Sequence, residues 1–296
     1  MRLAEDPTGT AVPDEWTVVS MLEWATSFFR SKEVASPRLS IEWLLAHVLN
    51  VKRLDLYLQF DRPLTPQELD ELRPLVRRRA THEPLQYIIG TTDFYNITVC
   101  VTPDVLIPRP ETEQMVERIL QDHPADKDEG PVRFLDIGTG SGCIALAVKK
   151  ARPHWQVTGI DISGPALQVA EQNARELSLD VTFKEASLEH YQPSRKFDII
   201  ASNPPYIGTE EAEGLPREVA GFEPAKALIV PDVAGVYLNL FRFCHKHLVP
   251  KGSFYFEINE SSGDKLLNLC SKHALHCRLE KDYSEKDRFI LGKLEK

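Results

Sequence analysis

Beyond residue 131 the chain alternates short apolar runs with helical patterns, and this alternation restricts the fold more than any other feature of the sequence. Strands are predicted at 132–137, 156–161, 181–185, 197–202, 253–258, 277–281 and 288–294, and helices at 143–150, 165–177, 233–248 and 263–273. Successive parallel strands need a long crossover, usually a helix, so the pattern predicts an α/β fold of the doubly wound class, a parallel sheet with helices on both faces. Sheets of that class bind ligands outside the carboxyl ends of their strands. The loops after the first, second and fourth of these strands are therefore the places to look for chemistry.

The N-terminal part reads differently. Apolar residues recur at helical spacing through Val18, Met21, Leu22, Ala25, Phe28 and Phe29, and again through Leu39, Trp43, Leu44, Ala46, Val48 and Leu49. A third helix opens on Thr65, Pro66 and Glu68, a capping box with proline in the first turn, and runs toward Arg79. Tyr87, Ile88 and Ile89, then Phe94, Tyr95, Ile97, Val99 and Val101, broken by Gly90 and Asn96, predict a β-hairpin connector. The expected division is a small helical domain at 1–90 and an α/β domain at 91–296, with 91–110 as the connecting hairpin. A polar linker is expected at 121–131.

Hydrophobic residues make up 42% and charged residues 27% of the 296, which fits an ordinary globular protein. No apolar run approaches the roughly 20 residues that span a bilayer, and Met1 to Pro13 lacks a basic start followed by an apolar stretch, so a cytoplasmic location and no membrane partner are expected. Cys100, Cys143, Cys244, Cys270 and Cys277 are odd in number and never form C-x-x-C, so they are read as reduced thiols. The formal charge of -9 argues against broad contacts to nucleic-acid phosphates.

The segment from Phe134 through Asp136, Gly138, Thr139, Gly140, Ser141 and Gly142 ends an apolar strand and opens a helix, as a glycine-rich cofactor loop does. It carries neither G-x-G-x-x-G nor a Gly-Lys-Ser/Thr ending, which disfavours a pyrophosphate ligand. Asp136 before the glycines suits a cofactor with an amino group and a sulfonium, and Asp161 at the end of the next strand suits ribose hydroxyls. Both point to S-adenosylmethionine, with S-adenosylhomocysteine as its product.

Asn203, Pro204, Pro205 and Tyr206 follow the fourth strand. Two prolines stiffen the loop and free its carbonyls, the asparagine amide matches another amide or an amino-pyrimidine edge, and the tyrosine adds an apolar wall with a polar tip. Asn203 Oδ1 and the Pro204 carbonyl are expected to accept the two N–H bonds of a substrate amide and aim its lone pair at a methyl donor. Asn203, Pro204 and Tyr206 are thus the candidate catalytic residues, and 203–206 the candidate substrate loop.

Three stretches together resemble the HemK/PrmC family of protein-glutamine methyltransferases: 83–90 (EPLQYIIG), 105–113 (VLIPRPETE) and 203–206 followed by Ile207. The resemblance runs nearly end to end, and 107–113 makes it specific, because amino-directed DNA methyltransferases share the Asn-Pro-Pro-Tyr loop. It implies a Rossmann-like seven-stranded methyltransferase domain preceded by a small all-helical domain, and the helical, motif-poor character of 1–90 and the boundary at Gly90 make recognition of the protein substrate the expected role of that domain. It also implies methyl transfer to the glutamine of the Gly-Gly-Gln motif of class I peptide release factors, with cofactor contacts at 138–142, Asp161, Leu188 and Asn203. Departures from the family pattern are Ser187 and Leu188, where an acid and an aromatic are usual, Val230-Pro231 in place of Gly-Gly, and Asn259 after Glu257-Ile258.

Other features are assigned plainer roles. Cys270, His273, His276 and Cys277 match no standard zinc spacing, and no metal is expected. Arg73, Arg77, Arg78 and Arg79 are read as a solvated helix face, with a contact to an acidic partner surface or ribosomal RNA as the alternative. Two competing functions are an amino-directed (adenine) nucleic-acid methyltransferase and a non-catalytic cofactor-binding scaffold. The charge of -9 disfavours the first and the complete 203–206 loop the second, so no direct nucleic-acid substrate is expected.

Overall fold

The computed structural model describes residues 15–124, 131–273 and 275–295, so Met1 to Pro13 and most of the expected polar linker lie outside the described residues. The chain forms two compact units, one running through Gly90 and including Pro216–Phe222, the other made of Thr91–Leu215 and the chain from Glu223 onward.

The first unit is built on α1 (Val18–Ser31), α2 (Pro37–Leu49), α3 (Pro66–Ala80) and the single turn α4 (Leu85–Ile89). Thr17 caps α1, while Thr65 and Glu68 cap α3 reciprocally: the Thr65 side chain accepts from the Glu68 N–H, and the Glu68 carboxylate accepts from the Thr65 N–H. Met21, Leu22, Phe29, Ile41, Leu44, Leu72 and Val76 close its core. Tyr87, Ile88 and Ile89, expected in the hairpin, are helical instead, because Pro84 opens a turn that Gly90 ends in the left-handed region at φ +86°. Arg79 corrects the expectation of a solvated face. It is 3% exposed and donates to Ser40 Oγ, the Ala35 and Glu83 carbonyls and Glu218, whereas Arg77 and Arg78 are exposed.

The second unit opens with the hairpin β1 (Thr91–Phe94) and β2 (Ile97–Cys100), then α5 (Pro110–Asp122), which the sequence reading did not predict. There follow β3 (Arg133–Ile137), α6 (Cys143–Ala151), β4 (Gln156–Asp161), α7 (Gly164–Leu177), β5 (Thr182–Glu185) and β6 (Phe197–Ser202). The short β7 (Ile207–Gly208) leads to α8 (Arg217–Phe222) of the first unit, and the chain continues through α9 (Ala225–Leu228), β8 (Ile229–Val230), which pairs with β7, and α10 (Val233–His247). It ends with β9 (Leu248–Glu257), α11 (Gly263–Cys270), β10 (Leu275–Lys281) and β11 (Asp287–Leu294).

The seven main strands lie in the order β10-β11-β9-β6-β3-β4-β5. The sheet is mixed rather than wholly parallel, since β11 runs antiparallel to both neighbours. The turn between β10 and β11 is too short for a crossover, so the pair forms a hairpin. Alternation along β9 separates the two layers of helices: Phe254 and Phe256 pack on Phe241 of α10, while Tyr255 donates from the other face to Asp122 at the end of α5.

Cys270 and Cys277 are bonded to each other, which corrects the expectation of five reduced thiols; Cys100, Cys143 and Cys244 are free. The end of α11 and the opening of β10 fold the chain back so that the two Cα atoms stand 6.5 Å apart, within disulfide reach. Among the described residues no helix is long and apolar enough to cross a membrane.

Candidate functional site

Register places the three candidate loops side by side. Ile137 at the end of β3 pairs with Ile160 of β4 on one side and with Ser202 of β6 on the other, so the loops after all three strands emerge at one edge. The chain proceeds outward from β3 through β4 to β5 and returns to β6 on the opposite side of β3, which makes this edge the switch point where doubly wound sheets bind ligands. A cavity of about 450 Å³ opens there, walled by Gly138, Gly140, Asp161, Leu188, Asn203 and Pro204 among others.

The glycine loop is pinned from below. Gly138 N–H and Thr139 N–H both donate to the Ile160 carbonyl, and the buried Asn173 of α7 donates to the Ser141 carbonyl at 2.9 Å. Gly138, Gly140 and Gly142 have φ of +71°, +53° and +80°, the region that favours glycine. A Cβ on Gly138 or Gly140 would meet nothing within 4 Å, whereas one on Gly142 would press on Leu146, Ala170 and Phe183. The first two glycines therefore hold open space above the backbone, and the third permits close packing below it.

The two acids fall in different environments. Asp161 is half-buried at the cavity wall, where Oδ2 accepts from Gly140 N–H and Oδ1 from Ser163 N–H, both at 2.9 Å. Each oxygen keeps a lone pair for a ligand hydroxyl. Asp136 is fully buried beneath the loop: its Oδ2 accepts from Thr139 Oγ1 at 2.6 Å and from Ala145 N–H at 3.3 Å in the first turn of α6, while Oδ1 has no partner. Burial pushes its carboxyl up to about 7. Asp136 thus stands under the glycine loop, not on the cavity wall.

Ile162, 64% exposed, lines the cavity, as does Leu188. Sequence reasoning missed Ile162; its position directly after Asp161 was the available signal. An open glycine cradle, a carboxylate with free lone pairs and two aliphatic walls fit a nucleoside carrying a diol and a flat ring, as S-adenosylmethionine does. Gly138, Gly140, Asp161, Ile162 and Leu188 are the residues that would hold it.

Asn203 is anchored through its amino end. Its Nδ2 donates to Thr112 Oγ1 at 3.0 Å, and Thr112 Oγ1 donates to Glu257 Oε2 at 2.6 Å. Tyr206 donates to the other oxygen, Glu257 Oε1, at 3.1 Å, and Tyr237 donates to the Glu257 carbonyl at 2.6 Å. Glu257 is 1% exposed, and burial raises its carboxyl to about 7 against the lowering effect of Thr112, Tyr206 and Arg288. Burial also pushes the Tyr206 hydroxyl well up. Asn203, Pro204 and Pro205 line the cavity, whereas Tyr206 points its hydroxyl at Glu257 behind it.

Thr112 and Glu257 were not singled out from sequence, nor was Glu223. The last is buried, accepts from Ile107 N–H at 3.1 Å and from Arg109 at 2.5 Å, and so fastens the 105–113 stretch where it lines the cavity. The 105–113 motif is a sequence signature, but its partners lie more than a hundred residues away, where spacing gives no signal.

The chain matches the PrmC N-terminal domain over residues 20–90 and the methyltransferase small domain over residues 116–216. A release factor glutamine methyltransferase of Geobacter sulfurreducens is 39% identical over 290 residues, 96% of this chain and 99% of the relative. The enzyme of the same name from Rhodopirellula baltica is 41% identical over 249 residues, 82% of this chain and 84% of the relative. A methyltransferase structure from Pyrococcus furiosus shares the fold, with a TM-score of 0.50 at 17% identity, covering 67% of this chain and 89% of that one. With this degree of identity along nearly its whole length, the chain belongs to the release factor glutamine methyltransferase family.

Proposed function

We propose that this chain methylates the side-chain amide nitrogen of the glutamine in the Gly-Gly-Gln motif of class I peptide release factors, in the cytoplasm and without a nucleic-acid substrate. The observation that carries the reading is the state of Asn203: its donor end is committed to Thr112, so its acceptor end is the one a substrate N–H can use at the cavity wall. S-adenosylmethionine supplies the electrophilic methyl group when bound. An amide nitrogen is a weak nucleophile because its lone pair is delocalised into the carbonyl. Asn203 Oδ1 and the Pro204 carbonyl accept its two N–H bonds and turn the lone pair toward the cavity, and the nitrogen loses one proton after it gains the methyl group. The helical unit serves recognition of the protein substrate rather than the chemistry.

The test is to incubate the protein with methyl-labelled S-adenosylmethionine and either a class I release factor or duplex DNA. Label on the Gly-Gly-Gln glutamine supports the reading; label on DNA and none on the factor overturns it. Asn203→Ala should lower single-turnover transfer on the order of a hundredfold, the cost of losing one preorganised acceptor, with much less effect on cofactor affinity.

A further inference from the structure

The chemistry at Asn203 depends on which end of its amide faces the cavity, and a primary amide is nearly symmetric in shape. Turned over, it presents two donors where the reaction needs an acceptor. Nothing on Asn203 itself prevents this; the constraint must come from its neighbour. Thr112 Oγ1 has one proton and two lone pairs. While that proton is given to Glu257, the hydroxyl has only acceptance left to offer Asn203, which must answer with Nδ2.

We propose that Thr112 and Glu257 are positioning residues for the methyl transfer: the buried Glu257 carboxylate polarises the Thr112 hydroxyl, and the polarised hydroxyl locks the Asn203 amide with Oδ1 toward the substrate. The inference rests on the reading of Asn203 given above and deepens it. Neither residue need touch substrate or cofactor. Tyr206 belongs to the same device, because its hydroxyl occupies the second carboxylate oxygen and holds Glu257 as an acceptor of two bonds. The prolines following Asn203 fix its backbone, and the Thr112 to Glu257 pair fixes its side chain.

The device is sensitive to protonation. A proton on Glu257 converts one acceptor oxygen into a donor, so that Thr112 or Tyr206 must reverse. If Thr112 reverses, it donates to Asn203 and draws Oδ1 away from the substrate. The groups facing Glu257 are Arg288 of β11, Glu111 of α5, Tyr206 of the loop, Tyr237 of α10 and Cys143 at the start of α6. Arg288 favours the carboxylate and Glu111 opposes it. With burial raising the carboxyl to about 7, turnover should fall as pH drops through that value.

Thr112→Val keeps the shape and removes the hydroxyl, Thr112→Ser keeps the hydroxyl, and Glu257→Gln removes the titration. Single-turnover rates with release factor are measured across pH, and S-adenosylhomocysteine binding by calorimetry reports that each variant is folded. The expected result is a Thr112→Val rate lower on the order of a hundredfold with KM and cofactor affinity little changed, as for a misaligned reacting group. Thr112→Ser should stay within about threefold of the parent rate, and Glu257→Gln should lose the acid-side fall. The inference is overturned if Thr112→Val turns over normally while Asn203→Ala is crippled, if the serine and valine variants are equally impaired, or if the acid-side fall persists in Glu257→Gln. Normal turnover by Asn203→Ala would instead remove the reading of Asn203 on which the inference stands.

Discussion

The guanidinium of Arg79, near the end of α3, donates to Glu218 across 139 residues of chain at 2.8 Å while also donating to Ser40 Oγ and two backbone carbonyls. Removing it strands the buried Ser40 hydroxyl and three part-buried acceptors at once. Arg79→Ala should therefore lower the free energy of unfolding by about 3 kcal/mol, the scale of a broken buried ion pair, and Glu218→Gln by less, since Glu218 is partly exposed. Urea denaturation checks both; an Arg79→Ala loss as small as that of the exposed Arg77→Ala would return Arg79 to the surface role that its neighbours have.

Asp161 faces the cavity with a lone pair free on each oxygen. Asp161→Ala should weaken S-adenosylhomocysteine binding at least tenfold, about 1.4 kcal/mol, the scale of losing charge-assisted hydrogen bonds. Calorimetry that finds unchanged affinity removes Asp161 from the cofactor contacts.

Gly140 and Gly159 separate binding from folding. An added Cβ on Gly140 meets open space but suffers its φ of +53°, so Gly140→Ala should cost only about 1–2 kcal/mol in stability while weakening cofactor binding. A Cβ on Gly159 would lie 2.8 Å from Phe183 and from Thr139 Oγ1, so Gly159→Ala should destabilise through overpacking by about 1–3 kcal/mol. Thermal melts paired with calorimetry tell the two apart; equal losses of affinity at equal stability contradict the assignment of open space to ligand.

Glu257 makes stability and activity respond to pH in opposite senses. Its carboxyl is raised from 4.5 to about 7 in the fold, so between those values the folded state binds more protons than the unfolded state. Its contribution to stability is then complete below 4.5 and is lost as pH rises through about 7. Asp136 acts the same way, whereas His247 and His273, lowered by burial, act in the opposite sense. The informative quantity is the difference between variants: between pH 5 and 7.5, unfolding free energy should decline less with pH in Glu257→Gln than in the parent. Identical slopes would mean that Glu257 titrates alike in both states.

The sequence made the sheet legible where one run sufficed: β3, the glycine loop, α6, β4 and the 203–206 loop follow from apolar runs, glycines and prolines read locally. It concealed α5, because the prolines at 108 and 110 look like loop and only Pro110 in the first helical turn shows otherwise. The only sequence sign that β11 reverses is the short 282–286 connection, which leaves no room for a crossover. Thr112 and Glu257 had no local signal. They lie 145 residues apart and meet only because β9 pairs beside β6 and carries Glu257 to the edge where Asn203 emerges.

Pro216–Phe222 belongs to the unit that otherwise ends at Gly90, so the chain passes between the units three times: after Gly90, after Leu215 and after Phe222. During synthesis the amino-terminal unit cannot be finished until residue 222 has left the ribosome, by which time β3 to β6 have already been made. The unit made first is thus completed late, and its last piece arrives on the same stretch of nascent chain that follows the asparagine loop.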